Sequence, residues 1–406
     1  MTGEPARPAH VPAALVVDFD VYAAAAPGED FHAAWVRFQR ATVSPLVWSP
    51  RYGGHWIAVR GRDVLDLYGD HDRFSSAVNT VPPATSRAPL GAIVLDPPQH
   101  GPFRAVLDEG LSPRVVRGLE PAVRALAAEL IEGLAPQGGC DFIAAFADIL
   151  PLTVFLNLVD IPLSDRAMLA RWAGQVTRET DVALRDGASR SLRNYLRPLV
   201  AARRERPGDD LISRIIHASV DGRAVTDTEA VGACTHLMMA GLDTVSSLLG
   251  FVMRFLASHP AARRALVDDP RRIPGAVKEL VRRFPLVVMS RRVTRDTTLH
   301  GVLLKAGEMI ALPTMLFNLD ETEYPAPLTV DWARPVLTTC TFGAGVHRCP
   351  GATLGQREVV ITLQEWLARI PEFEVDDSEP VTVNGGIVAT LDRLVLRWRP
   401  PEPFGA

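Results

Sequence analysis

Cysteine is scarce in this sequence: Cys140, Cys234, Cys340 and Cys349 are the four in 406 residues, too widely spaced for a disulfide framework. They read as free thiols. No CxxC pair, no HExxH and no GxxxxGKS/T loop occurs, so the commonest zinc and nucleotide cues are missing. An excess of either charge is also lacking, since 43 Lys plus Arg stand against 47 Asp plus Glu. The resulting net charge of -4 is far from the basic balance that neutralises a phosphate backbone, which argues against a nucleic-acid partner. The longest apolar stretch, 237–257, is interrupted by Asp243, Thr244 and Arg254, so no membrane span is expected. The opening MTGEPARPAHVPAALVV has acid and proline where a signal peptide needs a basic segment and a clean apolar core. A cytoplasmic protein is the expectation.

What is present is globular in composition, with 47% hydrophobic and 22% charged residues. The 33 prolines and 30 glycines are scattered, no internal repeat shows, and residues 1–406 read as one domain. Two short strands, LVW and HWIAV, flank the turn-forming SPRYGG within 44–59. Helical periodicity then marks 102–111, 121–134, 165–181, 188–206 and 209–219. Thr226 to Glu229 is a capping-box pattern opening a continuous helix to His259, about 50 Å long and apolar on nearly every side. A helix over 273–284, β-like alternation over 291–312, a helix over 350–370 and a hairpin around Asn384-Gly385-Gly386 complete a mainly α fold with small β-sheets (α+β).

Four constellations carry possible chemistry. In the decapeptide from Phe342 to Gly351, Gly343 and Gly345 free the backbone just before Cys349, which sits at a helix start. The dipole and free N–H groups there favour thiolate, so Cys349 reads as a metal-ligating sulfur or as a buried cysteine beside a glycine turn. Ala240-Gly241-Leu242-Asp243-Thr244 puts three weak helix formers in mid-helix. The Thr244 hydroxyl can bond the Ala240 carbonyl and open a groove, with Asp243 beside it to relay protons, or the segment is a kink with a solvated acid. Glu279 and Arg282, three apart, can pair on one helical face. After Asp96-Pro97-Pro98, His100 and Arg104 stand four apart as two donors for one anionic group.

The decapeptide fits FGxGxHxCxG at every fixed position and resembles the haem-binding loop of the cytochrome P-450 family of haem-thiolate monooxygenases. The resemblance implies haem b with Cys349 as the axial iron ligand, a thiolate that favours O–O cleavage of dioxygen. Phe342 and Gly343 would lie against the haem, and His347 would reach a propionate. AGxDT resembles the family's oxygen-activation motif, implying Thr244 for hydrogen bonding to dioxygen, Asp243 for proton delivery, and Ala240 with Gly241 beside the cofactor. ExxR implies a structural bridge from Glu279 to Arg282. DPPxHxxxR implies propionate binding by His100 and Arg104, with Arg291 as a further donor for which Arg292 competes.

GGHWIAVRG, RIPGAVKELVRRF and ITLQEWLARIPEFEV, in the same order as these motifs, resemble bacterial camphor hydroxylases over nearly the whole chain. Such enzymes take NAD(P)H electrons from a [2Fe–2S] ferredoxin and a flavin reductase. Only 57 residues follow Cys349, too few for a fused reductase, so a separate partner is expected, docking near Arg104, Arg114 and Arg348. A monomer is expected. The camphor enzyme's substrate-binding tyrosine has no counterpart: Ala88 stands there, which puts camphor itself in doubt. Met239, Val287, Ile387 and Val388 align with pocket positions and suit a small terpenoid-like or aromatic molecule. His236, one turn before Ala240, is either a satisfied helix histidine or a polar handle for substrate. Rival readings are oxidative coupling, desaturation or peroxide-driven oxidation on the same fold, and a haem sensor.

Overall fold

The computed structural model describes residues 7–26, 29–84, 91–220, 222–336, 338–376, 378 and 381–400. The early helices are α1 (Phe31–Ala41), α2 (Gly61–Gly69), α3 (His100–Gly110) and α4 (Pro113–Leu134). The middle holds α5 (Leu150–Leu158), α6 (Arg166–Arg178), α7 (Val182–Glu205), α8 (Leu211–Ile216), α9 (Asp227–Gly241) and α10 (Thr244–Ser258). Then come α11 (Pro260–Asp268), α12 (Ile273–Arg283), α13 (Met315–Asn318) and α14 (Ala352–Arg369). This is the mainly helical architecture with small sheets that the sequence leads one to expect.

The predicted helix over 226–259 is broken in two. Its start is as read: the Glu229 N–H donates to Thr226 Oγ1 at 3.3 Å and the Thr226 N–H to Glu229 Oε2 at 2.9 Å. At the other end of α9, Leu242 and Asp243 interrupt the ladder, and the Thr244 hydroxyl donates to the Ala240 carbonyl at 3.2 Å. By length and composition 227–258 is apolar enough to cross a membrane, yet 61% of its most apolar window is buried inside the fold. It acts here as the core element. A second departure is α4, which begins eight residues before Pro121 rather than at it. A mid-helix proline removes one hydrogen bond, but Val116, Val123, Ala127 and Ile131 keep one buried face running through it.

The main sheet runs in the order Leu46–Ser49, His55–Ala58, Met309–Pro313, Val288–Val293, Phe74–Ser75. The predicted hairpin pairs Leu46 with Ala58 through Ser49 with His55, and a parallel pairing joins Trp56 to Ile310. The C-terminal hairpin pairs Val383 with Leu391, and the Val288 N–H donates to the Ile387 carbonyl at 2.9 Å, docking the hairpin on the sheet. Two apolar cores result. One joins the sheet to α4, α10, α12 and α14; the other joins α5 to α9, and Leu354 packs against both.

Candidate active site

The loop bearing Cys349 is shaped before it reaches the sulfur. Gly343 and Gly345 take φ of 68° and 65°, a region that strains any L side chain. A Cβ on Gly345 would stand 2.8 Å from the Gly69 Cα, so the turn closes tightly on α2. The Cys349 N–H donates to the Phe342 carbonyl at 2.8 Å. Burial pushes the Cys349 thiol up, against the pull of the Gly351 and Ala352 N–H groups and the Arg104 and Arg348 guanidiniums. The residue is half-buried and lines the central cavity.

The ExxR pair anchors this loop from behind. Arg282 Nε and Nη2 donate to the two Glu279 oxygens at 2.7 and 2.9 Å, with side chains 0% and 2% exposed. Arg334 Nε adds a bond to Glu279 Oε1 at 3.1 Å. Asn318 then passes the order on: its Nδ2 donates to the Arg282 carbonyl at 3.0 Å and to Thr341 Oγ1 at 2.6 Å, and its Oδ1 accepts from the Cys340 N–H at 2.7 Å. Neither Arg334 nor Asn318 was picked out from the sequence.

A cavity of about 370 Å³ lies between the two cores, within the range of ligand pockets. His100, Arg104, Arg291, His347, Phe342 and Gly343 line it, with Cys349. Across from the cysteine loop in sequence, Ala240, Gly241 and Thr244 also line it, as do His236, Met239, Val287, Ile387 and Val388. Ala88 lies outside the described residues. Gly241 is glycine for packing as well, because a Cβ there would stand 2.3 Å from the Phe155 ring on α5.

One corner of the cavity is crowded with nitrogen donors. Arg291 is 3% exposed; its guanidinium lies 5.1 Å over the Tyr68 ring and, among the described residues, donates only to its neighbour's carbonyl, that of Ser290, at 2.9 Å. Strand alternation puts Val287, Met289 and Arg291 on the cavity face and leaves Arg292 exposed. His347 Nε2 is buried without a hydrogen bond, 3.8 Å from Asp96 Oδ1. The His100 and His347 rings meet at 4.6 Å. Burial, then repulsion from His347 and Arg104, lowers His100 to about 4, and burial lowers His347 too. Arg104 is partly committed, to Asp108 at 2.7 Å and the Val346 carbonyl at 3.1 Å. Mutually repelling, under-used donors fit the two carboxylates of a haem. Among the described residues no three His, Cys, Asp or Glu converge on a metal, so a lone thiolate suits an iron that brings its own porphyrin nitrogens.

Asp243, unlike Ala240, Gly241 and Thr244, does not line the cavity. Its Oδ1 accepts from Arg178 Nη1 at 2.5 Å and its Oδ2 from Thr177 Oγ1 at 2.8 Å. Neither partner was foreseen, since both arrive from α6, far away in sequence. Glu358 was missed too. It lines the cavity, is 2% exposed, and burial pushes its carboxyl well above the usual range. Its signal was legible: Leu354, Gly355 and Glu358 fall at helical spacing on one face of α14, just after its cap Gly351.

The family model for cytochrome P450 matches residues 183–390. The probable cytochrome P450 127A1 of Sinorhizobium fredii is 34% identical over 401 residues, covering 96% of each chain. The erythromycin C-12 hydroxylase of Saccharopolyspora erythraea is 36% identical over 81% of this chain and 85% of its own. The crystal structure of CYP101J2 superposes with a TM-score of 0.89 at 42% identity, covering 97% of this chain and 99% of that one. That of CYP101C1 gives 0.87 at 41%, covering 97% and 100%. The chain belongs to the cytochrome P450 family and is a haem-dependent monooxygenase of the kind whose iron is held by a cysteine thiolate.

Proposed function

We propose that this chain, as one cytoplasmic domain, hydroxylates a small, mostly apolar molecule of terpenoid-like or aromatic character. The observation that carries this reading is one cavity bounded by both Cys349 and Thr244, with apolar side chains such as Met239, Val287, Ile387 and Val388 in its wall beside the nitrogen-donor corner. Cys349 is the iron ligand in this reading, Phe342 and Gly343 pack against the macrocycle, and His100, Arg104, Arg291 and His347 hold its propionates. When bound, haem supplies the activation of dioxygen that inserts one oxygen atom into a C–H bond.

The chain's own residues position and protonate. Glu279, Arg282 and Asn318 hold the cysteine loop in register. The Thr244 hydroxyl, resting on the Ala240 carbonyl, turns toward the cavity to hydrogen-bond the reacting oxygen. Asp243 moves protons to that groove from the partly exposed Arg178 side. The apolar wall excludes water and holds the target carbon, and such positioning sets regioselectivity. Electrons come from a [2Fe–2S] ferredoxin and its flavin reductase. Arg114 and Arg348 are exposed and suit an acidic partner, whereas Arg104 is largely turned inward. Turnover with NADH, ferredoxin and reductase tests this reading. Product under those conditions, and little with peroxide alone, is the expected result.

A further inference from the structure

One hydroxyl in the cavity wall has more acceptors than protons. Thr177, in the last turn of α6, is 7% exposed and lines the cavity. Its Oγ1 stands 2.8 Å from Asp243 Oδ2, 3.1 Å from the Ala173 carbonyl and 3.2 Å from the Gly174 carbonyl. A hydroxyl donates one proton, so these three acceptors compete for it. The two carbonyls belong to the same helix as Thr177 and offer the back-bonding open to any helical threonine. Asp243 lies at the break between α9 and α10, and as a carboxylate it is the stronger acceptor.

The three acceptors differ in what they move with. Ala173 and Gly174 travel with Thr177 when α6 shifts, and Asp243 does not. A displacement of about half an ångström takes the Asp243 bond beyond the usual O–H···O range and leaves the bonds within the helix as they are. Arg178 behaves otherwise. Its side chain folds back along α6, where a Cβ on Gly174 would collide with the guanidinium, and so long an arm can follow Asp243 Oδ1.

The end of α6 is also tied to the cavity wall. The Ile387 N–H donates to the Thr177 carbonyl at 2.7 Å, and a Cβ on Gly386 would stand 2.6 Å from that carbonyl, so the C-terminal hairpin bears directly on Thr177. Ile387 and Val388 line the cavity beside it. Pressure on this wall therefore reaches the hydroxyl.

We propose that Thr177 is a positioning residue that reports the filling of the cavity to Asp243. Its hydroxyl holds the carboxylate outside the cavity until a molecule packed against Thr177 and Ile387 shifts the end of α6 and turns the O–H to the Ala173 and Gly174 carbonyls. Asp243 Oδ2 is then open to take a proton from solvent on the Arg178 side and pass it to the Thr244 groove, which restores the carboxylate. The proposal rests on the proton route through Asp243 and adds the control of it.

The test uses the haem-loaded enzyme with NADH, ferredoxin and reductase and no added substrate. Thr177→Val keeps the side-chain shape and removes the hydroxyl, so peroxide release should rise about fivefold over wild type, the equivalent of one hydrogen bond. Thr177→Ser, which keeps the hydroxyl, should stay at the wild-type rate, and in an Asp243→Asn background Thr177→Val should change nothing. Infrared spectra of the same proteins give a second readout. Filling the cavity with p-menthane should move the Asp243 carboxylate band, identified by its loss in Asp243→Asn, in wild type and Thr177→Ser but not in Thr177→Val. Peroxide release unaltered by Thr177→Val, an equal rise in Thr177→Ser, a rise that persists with Asp243→Asn, or a band that p-menthane leaves in place in wild type overturns the proposal. Asp243→Asn turning over like wild type overturns the proton route and the proposal with it. The carbon monoxide spectrum of each reduced protein separates both failures from failure of the haem-thiolate reading.

Discussion

Asp243 and Arg178 form an ion pair across the break between α9 and α10, with Nη1 to Oδ1 at 2.5 Å, and Thr177 takes the second carboxylate oxygen at 2.8 Å. The acid is thus held outside the cavity, one residue from the hydroxyl that faces it. If it feeds protons inward, Asp243→Asn slows product formation roughly a hundredfold, the low end of acid–base contributions. The haem spectrum stays unchanged and the solvent isotope effect grows. A kcat equal to wild type in both H₂O and D₂O would remove Asp243 from the proton route.

Thr244 is expected to govern coupling rather than binding. Thr244→Ala keeps substrate affinity within about twofold, because only a hydroxyl at the groove is lost. Most NADH consumed then appears as hydrogen peroxide, quantified beside product. Full coupling in this variant would rule out the role given to the hydroxyl.

The buried pair under the cysteine loop makes a stability prediction. Removing one charge of a buried, multiply bonded pair costs about 3–5 kcal/mol. Glu279→Gln leaves Arg282 and Arg334 without their carboxylate, so denaturant midpoints should fall sharply and haem should be lost on dilution. A variant as stable as wild type would show that Asn318 and the neighbouring carbonyls suffice.

Two buried histidines away from the cavity set an acid limit. Burial lowers His32 to about 3 and His55 to about 4. His32 Nε2 lies 3.0 Å from the Pro285 carbonyl, which can only accept, so this nitrogen carries the proton of a neutral ring. Unfolded imidazole titrates near 6.5. Below that pH the unfolded chain binds protons that the folded one refuses, so stability is full above about 6.5 and falls as pH drops toward 4. Each ring adds a slope of up to about 1.4 kcal/mol per pH unit. His32→Gln should flatten the fall of Tm between pH 7 and 4.5, and a profile parallel to wild type would contradict this.

How much of this was written in the sequence depends on range. Local geometry contained in one segment is where the sequence puts it: the glycine turn before Cys349, the Glu279–Arg282 pair, and the bond from Thr244 to the Ala240 carbonyl four residues back. The α5 helix, LPLTVFLNL, escaped because it is apolar on every side and carries no period. Helices α1, α2 and α11 were also passed over. The partners of Asp243, Glu279 and Cys340 escaped because Thr177, Arg178, Arg334 and Asn318 come from elements that only tertiary packing brings near. The break at Asp243 shows propensity and packing in contest. Burial favoured one long helix, and the run of Gly, Asp and Thr with the Thr244 side-chain bond prevailed locally.

The central claim is that the Cys349 sulfur binds haem iron. The reduced, haem-loaded protein exposed to carbon monoxide should show the strongly red-shifted absorption band of a thiolate-bound haem, and Cys349→Ser should lose it. A globin-like maximum in the wild-type protein, or a red-shifted band that survives Cys349→Ser, would contradict the account.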